Sequence, residues 1–481
     1  MLAAVVLSAP ATTAATPRVH RPLQSDRIAT AARSQIGSRL LLGFYDGAFS
    51  GPSGSTWLAR AQAVGSDVVR ISMPGVAPDG PRPPVGFDPR DPASPDYSFG
   101  PVDDVVKAAT ADGLRVILEF TGVPRWAEGK HPPAGAAPGS WEPSAAYLGE
   151  FAMALGRRYS GRFPDPSDPS RRLPKVWAFQ LWNEPNLSLY LAPQWRGRKP
   201  EAPLLYRKML NAFYAGIKSV DRSALVVTAG TAPFGDPWPG GQRIQPAAFW
   251  RDVLCVRKVG RRLVGDHCRD PAHFDVLAHH PYSVGAPGTA ALNPDDVSIP
   301  DIGKLTAILR VAERNRTALP RIHHPVWVTE VGYNTSPPNP QGVPIQTAAL
   351  WLEQTLWLLW SQGVSVITWN TIVDQPPIPD YSSTTQAGLY FVDGQPKPQL
   401  VQAFTLPFVA IRQGGSAVEL WGRSPAAGRL TIERLSSGGW TPVTHVNVHA
   451  GTTFLTHVVE TTRASFRAVV DGHTSLVWTI G

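Results

Sequence analysis

Short apolar runs alternate with amphipathic stretches along most of this chain, and the alternation completes eight cycles. The strand candidates are 40–46, 67–73, 114–121, 176–182, 225–231, 274–280, 326–330 and 364–369. Each is brief and mostly apolar, as expected of parallel strands covered on both faces. Helical patterns separate them at 55–64, 102–112, 143–159, 203–219, 246–257, 301–315 and 345–361. In the last, Leu352, Leu356, Leu359 and Trp360 fall at i, i+4, i+7 and i+8, one face of a helix, so its tryptophans read as core. Eight such alternations joined by right-handed crossovers close most easily into a (β/α)8 barrel, giving an α/β fold.

The connections are unequal. Those leaving strands are long and Pro-rich (74–101, 122–142, 187–202, 232–245, 281–300, 334–344 and 370–387). Those entering strands are short, apart from 160–175 and 258–273. Loop mass on the C-terminal side of the strands marks the face where a barrel of this type keeps its site. From residue 406 the period changes to two. Short alternating segments at 417–421, 429–435, 441–448, 452–459, 465–470 and 475–480, separated by Gly, Ser and Thr turns, predict a small antiparallel β-sandwich. The expected organisation is a signal-like segment at 1–30, a barrel at 38–405 and a sandwich at 406–481. The sandwich reads as a domain packed on the barrel rather than a carbohydrate-binding module, because exposed aromatics are few.

Composition narrows the class. The chain has 481 residues, 43% hydrophobic and only 17% charged, which suits a well-packed enzyme and excludes a disordered chain. Its 49 Pro and 43 Gly fit stiff, extended loops. The net charge of +8 is spread along the sequence without a run of Lys or Arg, so it reads as a solvated basic surface and not as a nucleic-acid site. Residues 1–15 have the apolar stretch and small residues of a secretory signal, without its basic start, and predict an exported protein. No apolar run reaches the roughly 18 residues of a membrane span. Cys255 and Cys268 are either two buried thiols or, in an exported protein, one disulfide closing a short loop. No His, Cys and Asp cluster has metal-ligand spacing, and no Walker or Rossmann glycine pattern occurs, so the expected chemistry needs no cofactor and no metal. Nothing specifies an oligomer, and a monomer is the default.

The candidate chemistry sits at two strand ends. Residues 182–186 read Trp-Asn-Glu-Pro-Asn after the fourth strand, and residues 326–330 read Val-Trp-Val-Thr-Glu through the seventh. Glu184 and Glu330 therefore end strands that are not neighbours and can face each other across the barrel mouth. Two carboxyl groups about 5 Å apart allow one to attack an anomeric carbon while the other protonates the departing oxygen; a wider gap admits water and implies inversion.

These segments resemble those of the clan A glycoside hydrolases. Trp182-Asn183-Glu184-Pro185 is similar to the clan's acid/base signature, and Thr329-Glu330-Val331-Gly332 to its nucleophile segment. The resemblance covers about 38–405 and is strongest to family 39 and family 5 members. It implies that Arg70, ending strand two, supports the nucleophile. It further implies that His280 and Tyr282, after strand six, line the site, and that Trp369, ending strand eight, forms a platform beneath the sugar. The implied activity is retaining hydrolysis of an oligo- or polysaccharide, with Glu184 as acid/base and Glu330 as nucleophile.

Residue chemistry fits those roles. Glu184 must start protonated and Glu330 ionised, and Arg70 with the Tyr282 hydroxyl would stabilise the ionised form. Asn183 can bond a sugar 2-hydroxyl. It can share the site with Glu184 only if the strand ends or bulges there, because adjacent strand residues point to opposite faces. Of the pair His279 and His280, the second is expected to point inward. Trp126, Glu119, Tyr45, Asp46, Trp141, Trp195 and Tyr333 lie on or near mouth loops as candidate subsite residues. Rival readings are a transglycosylase on the same scaffold and a non-catalytic carbohydrate-binding barrel. An enzyme of phosphorylated metabolites is disfavoured, since no Gly-rich phosphate loop follows strands seven and eight.

Overall fold

The computed structural model describes residues 39–73 and 75–481, so the signal-like segment at 1–30 lies outside the described residues. Eight parallel strands form its centre: β1 (Leu41–Tyr45), β2 (Val68–Met73), β3 (Arg115–Phe120), β4 (Ala178–Leu181), β5 (Leu225–Val227), β6 (Leu277–His279), β7 (Val326–Val331) and β8 (Val364–Trp369). Their spatial order follows the chain, and β1 pairs in parallel with both β2 and β8. Parallel bridges Val227–Val276 and Thr231–His279 close the remaining seam between β5 and β6. The sheet is thus a closed barrel.

Seven helices fall in the predicted intervals: α1 (Gly54–Ala63), α2 (Gly100–Ala111), α3 (Ala145–Arg158), α4 (Ala202–Val220), α5 (Pro246–Val253), α6 (Ile302–Asn315) and α7 (Ile345–Ser361). An eighth, α8 (Pro398–Thr405), was not expected. At 8 residues it is too short to show a sustained 3.6-residue period, and Pro398 in its first turn reads equally as a loop signal. The two long connections entering strands are β-hairpins, Pro164–Asp165 with Asp168–Arg172 and Val256–Val259 with Arg262–Gly265. Cys255 and Cys268 are joined in a disulfide at the base of the second.

Side-chain alternation along the strands builds the site's foundation. Leu41, Val68, Ile117, Ala178, Val276 and Trp327 belong to one buried cluster inside the barrel, distinct from the larger core between sheet and helices. Trp177 stacks on Trp327 with ring centroids 4.7 Å apart, filling the floor. Two residues further along, the same inward positions become Arg70, Glu119, Gln180 and Thr329, and beyond Ala278 comes His280. A polar layer therefore rests on an apolar plug, which keeps water from entering from below.

The C-terminal region forms two antiparallel sheets. One contains β9 (Phe408–Gly414), β10 (Ala417–Arg423) and β13 (Thr453–Val459). The other contains β11 (Gly428–Ser436), β12 (Gly439–Val448), β14 (Ala464–Val470), β15 (His473–Thr474) and β16 (Trp478–Ile480). Strand β9 escaped the sequence reading because Phe408, Val409, Ala410 and Ile411 are all buried and show no alternation. The sandwich is locked to the barrel by polar contacts in apolar surroundings. Arg423 is buried, donates to the Leu40 carbonyl at 2.9 Å and pairs with Asp67 at 2.6 Å. Trp357 Nε1 donates to Glu419 at 3.0 Å. Glu353 on α7 accepts from the Phe408 amide at 3.2 Å and from Trp478 Nε1.

Burial holds the Glu353 carboxyl well above the ordinary glutamate range, although the Trp478 and Phe408 hydrogen bonds oppose the shift. In the unfolded chain the same group titrates near its ordinary value of about 4.3. Its contribution to stability is therefore complete below that value and declines as the pH rises through the raised folded-state value. Glu353→Gln keeps the shape and removes the titration. In thermal melts between about pH 5 and pH 9, the wild type should lose stability relative to this variant as pH increases; parallel profiles would refute it.

Candidate active site

Trp182-Asn183-Glu184-Pro185-Asn186 does its work by breaking strand geometry. Regular pairing of β4 stops at Leu181, and Trp182 and Glu184 take left-handed backbone angles, φ 76° and 38°. Such angles are costly for non-glycine residues and persist only where neighbours enforce them. Here Trp182 is buried in the core and its Nε1 donates to the Tyr190 carbonyl at 2.8 Å. The Glu184 amide donates to the Gly230 carbonyl at 3.0 Å. Asn186 is a clamp, exchanging bonds with Ala232 and donating to the Ile244 carbonyl. Asn183 and Glu184 are thereby both turned into the mouth, as the sequence required.

Glu330 reaches the site by a different device. Between the pairs Val328–Ile367 and Val331–Trp369, β7 advances three residues while β8 advances two. This bulge breaks the alternation, so that Thr329 and Glu330 both point inward.

Arg70, fully buried, organises what they meet. Its guanidinium donates to Glu330 Oε1 at 2.5 Å, to Gln180 Oε1 at 2.6 Å and to Asn183 Oδ1 at 3.1 Å. It lies 3.8 Å from Glu119 and 4.3 Å from the centre of the Tyr45 ring. Tyr282 donates its hydroxyl to Glu330 Oε2 at 3.1 Å, and Asn370 Nδ2 donates to the Tyr282 oxygen at 2.7 Å. His280 joins the two carboxyl groups: Nδ1 is 3.0 Å from Glu184 Oε1, and Nε2 is 3.0 Å from Thr329 Oγ1 and 3.8 Å from Glu330 Oε1. Gly230 makes room for that ring, since a Cβ there would lie 2.0 Å from His280 Nε2.

The two carboxyl groups are driven apart electrostatically. Burial pushes Glu184 up, and the charge of Glu330 adds to this, while His280 opposes it. Burial also works to raise Glu330, but the charges of His280 and Arg70 and the hydrogen bonds from Arg70 and Tyr282 outweigh it and hold the group below the ordinary range. Burial places the Tyr282 hydroxyl well above its ordinary range, so it remains a donor.

The structure thus gathers Glu184, Glu330, Asn183, Arg70, His280 and Tyr282 into one network. His279 points away, bonded to Thr231 and the Val297 carbonyl, and burial lowers it to about 3. One expectation is corrected. Trp369 is only 1% exposed, packs with Ile367 in the core between sheet and helices, and donates Nε1 to the Ala387 carbonyl, so its face is not open as a platform. The alternation of β8 gives the inward position to the next residue, Asn370. Trp126 stands outside this network and is half-buried: its Nε1 donates to the Pro78 carbonyl at 2.9 Å, and its ring packs edge-on to Phe87 and Tyr147.

Among the other mouth residues, Asp46 ties the loop after β1 to the Ile372 and Val373 amides after β8, and burial raises it to about 6. Glu119 enters as a second acidic neighbour of Arg70 and accepts from the Ser72 and Thr121 hydroxyls. Gln180, Thr329 and Asn370 were not anticipated. A signal existed for the first two, which are polar residues on the inward parity of apolar strands, two positions beyond Ala178 and Trp327. Asn370 follows its strand and carries no such mark. Among the described residues no group of three or more His, Cys, Asp or Glu side chains is placed to hold a metal.

No protein-family model matches the chain. No curated protein matches it in sequence. Solved structures do share its fold. A family 39 glycoside hydrolase from the gut symbiont Bacteroides cellulosilyticus WH2 is 18% identical with a TM-score of 0.52, over 89% of this chain and 82% of that one. A glucosidase from Croceicoccus marinus is 13% identical with a TM-score of 0.51, over 88% and 93%. The shared architecture is the barrel fold on which those glycosidases are built.

Arg70→Met should expose how far the guanidinium controls Glu330. With that charge and its hydrogen bond gone, the Glu330 carboxyl should titrate higher than in the wild type, His280 and Tyr282 still opposing burial. Carbon-13 NMR titration of labelled glutamate would read the rise, and an unshifted Glu330 would contradict the electrostatic account.

Proposed function

We propose that the protein is a retaining glycoside hydrolase that cleaves O-glycosidic bonds of an oligo- or polysaccharide through a covalent glycosyl-enzyme. One observation carries this reading: a single imidazole, His280, touches two buried carboxyl groups whose proton affinities are displaced in opposite directions. A protonated acid beside an ionised carboxylate is the starting state that double displacement requires. The resemblance in fold to a family 39 glycoside hydrolase and to a glucosidase agrees with it.

In the first step Glu330 attacks the anomeric carbon as Glu184 gives its proton to the glycosidic oxygen, and the aglycone departs. Glu330 becomes a neutral ester and Glu184 an anion. The negative charge that raised Glu184 has gone, so its proton affinity falls and it can accept a proton from water. The activated water attacks the same carbon, the ester bond breaks, and both carboxyl groups return to their initial states. Arg70 and Tyr282 stabilise Glu330 as nucleophile and again as leaving group. Asn183, held by Arg70, is placed for the sugar 2-hydroxyl. Export is part of the proposal, and the Cys255–Cys268 disulfide supports it, because such bonds persist in oxidising compartments.

Activity should follow a bell-shaped pH profile, with Glu330 setting the acid limb and Glu184 the alkaline limb. On an activated nitrophenyl glycoside drawn from a broad panel, Glu330→Ala should lose nearly all turnover. Glu184→Ala should recover part of its activity with azide and release a glycosyl azide. Proton NMR of the first sugar released should show the anomeric configuration of the substrate; the opposite anomer would rule out the covalent intermediate.

A further inference from the structure

Strand β8 ends at Trp369, and the next residue, Asn370, reaches inward beside Glu330. Its backbone is fixed against the exit of β7. The Asn370 amide donates to the Val331 carbonyl at 2.9 Å, and its own carbonyl oxygen lies only 2.4 Å from where a Cβ on Gly332 would stand. Gly332 therefore lets the two strand exits approach closely enough for the Asn370 side chain to meet the carboxyl group of Glu330. Asn370 is 4% exposed, so it acts on the site through its neighbours.

Three polar groups close a triangle. Asn370 Nδ2 donates to the Tyr282 oxygen at 2.7 Å, the Tyr282 hydroxyl donates to Glu330 Oε2 at 3.1 Å, and Nδ2 lies 3.5 Å from the same Oε2. Chemistry dictates the direction of each bond. An ionised carboxylate only accepts, so the single hydroxyl hydrogen of Tyr282 goes to Glu330 and the phenol oxygen is left to accept. The amide must then turn its NH2 toward Tyr282. The reverse orientation would offer the hydroxyl a second acceptor and set the amide oxygen against Oε2. Tyr282 is only half-buried, so water in the mouth competes for its hydroxyl. A donor on the phenol oxygen keeps the O–H on Glu330 and polarises it into a stronger donor. Arg70 holds Oε1 at 2.5 Å independently, so the grip on Oε2 is the one that Asn370 governs.

We propose that Asn370 is a positioning residue for the reaction: its amide commits the Tyr282 hydroxyl to Glu330 Oε2, both while the carboxylate attacks and when the ester bond breaks and returns its electron pair to that group. This role rests on the proposed double displacement, whereas the order of hydrogen bonds rests on the geometry alone. Two other roles fit less well. A sugar ligand would turn its amide toward the substrate, but Nδ2 is already engaged by Tyr282 and the residue is almost enclosed. A packing residue would influence stability without any effect that depends on the Tyr282 hydroxyl.

A double-mutant cycle in the full chain tests it. Asn370→Leu removes the donor and keeps a branched side chain, Tyr282→Phe removes the hydroxyl, and the double variant removes both. The first readout is carbon-13 NMR titration of labelled glutamate, with the Glu330 signal assigned by its loss in Glu330→Gln, and it requires no turnover. Glu330 should titrate higher in Asn370→Leu than in the wild type, and Asn370→Leu should add no further rise in the Tyr282→Phe background. The second readout is hydrolysis of whichever nitrophenyl glycoside the wild type accepts. There kcat of Asn370→Leu should fall about tenfold, with KM changed by less than about twofold, and the double variant should be no slower than Tyr282→Phe. If Asn370→Leu does not fold, Asn370→Asp keeps the native shape and draws the hydroxyl to its own carboxylate. Its upward effect on Glu330 should then be smaller in the Tyr282→Phe background. An unshifted Glu330, equal effects of the Asn370 substitution in both backgrounds, or a raised KM with kcat intact would overturn the assignment. A wild type without glycosidase activity would count against the proposed function, and the titration would still decide the order of hydrogen bonds.

Discussion

A fully buried guanidinium is the constraint on which the rest of the site depends. Taking Arg70 out of water costs several kcal/mol unless its charge is neutralised and its donors are satisfied. The fold answers by drawing groups from separate strand ends onto one residue: Glu330 from β7, Gln180 from β4, Asn183 beyond it, and Glu119 from β3. Glu330, Gln180 and Glu119 each have a further tie, so displacing one of their strand ends leaves a buried polar group unpaired elsewhere. Gln180 also donates to the Thr228 carbonyl and to Thr329, which carries the network to β5 and β7. Rigid placement of the two carboxyl groups follows from this shared demand more than from either group's own bonds.

The network also explains why the two acids differ. Both are buried, and burial alone would raise both. Glu330 lies within direct reach of Arg70 and Tyr282, whereas Glu184 has His280 as its neighbour and the charge of Glu330 nearby. The charges of His280 and Arg70 therefore hold Glu330 low while Glu184 is pushed up. Under the proposed mechanism, the charge that raises Glu184 is the one consumed when the ester forms, which would let the roles exchange.

Much of this was legible in residue order. Short apolar runs separated by amphipathic stretches specified eight strands and their sequence around the barrel, and long loops on one side specified the mouth. The two glutamates stood at strand ends, and Arg70, His280 and Tyr282 stood at positions that could reach them. Legibility failed where burial erased alternation, as in β9, or where an element was too short to show a period, as in α8. It fails again at Trp369, where the resemblance implies a platform but strand parity places the indole with Ile367 on the helix side. Gln180 and Glu119 were visible as polar residues on inward positions, but their meaning required knowing that Arg70 lay between them.

The sequence by itself determined the barrel, the carboxyl pair and the polar residues that can serve it, because alternation, strand length and side-chain chemistry are local properties. Only the tertiary structure decided which neighbours share a face. The left-handed turns at Trp182 and Glu184 and the bulge at Thr329 and Glu330 override strict alternation, and packing and hydrogen bonds from distant residues hold them in place.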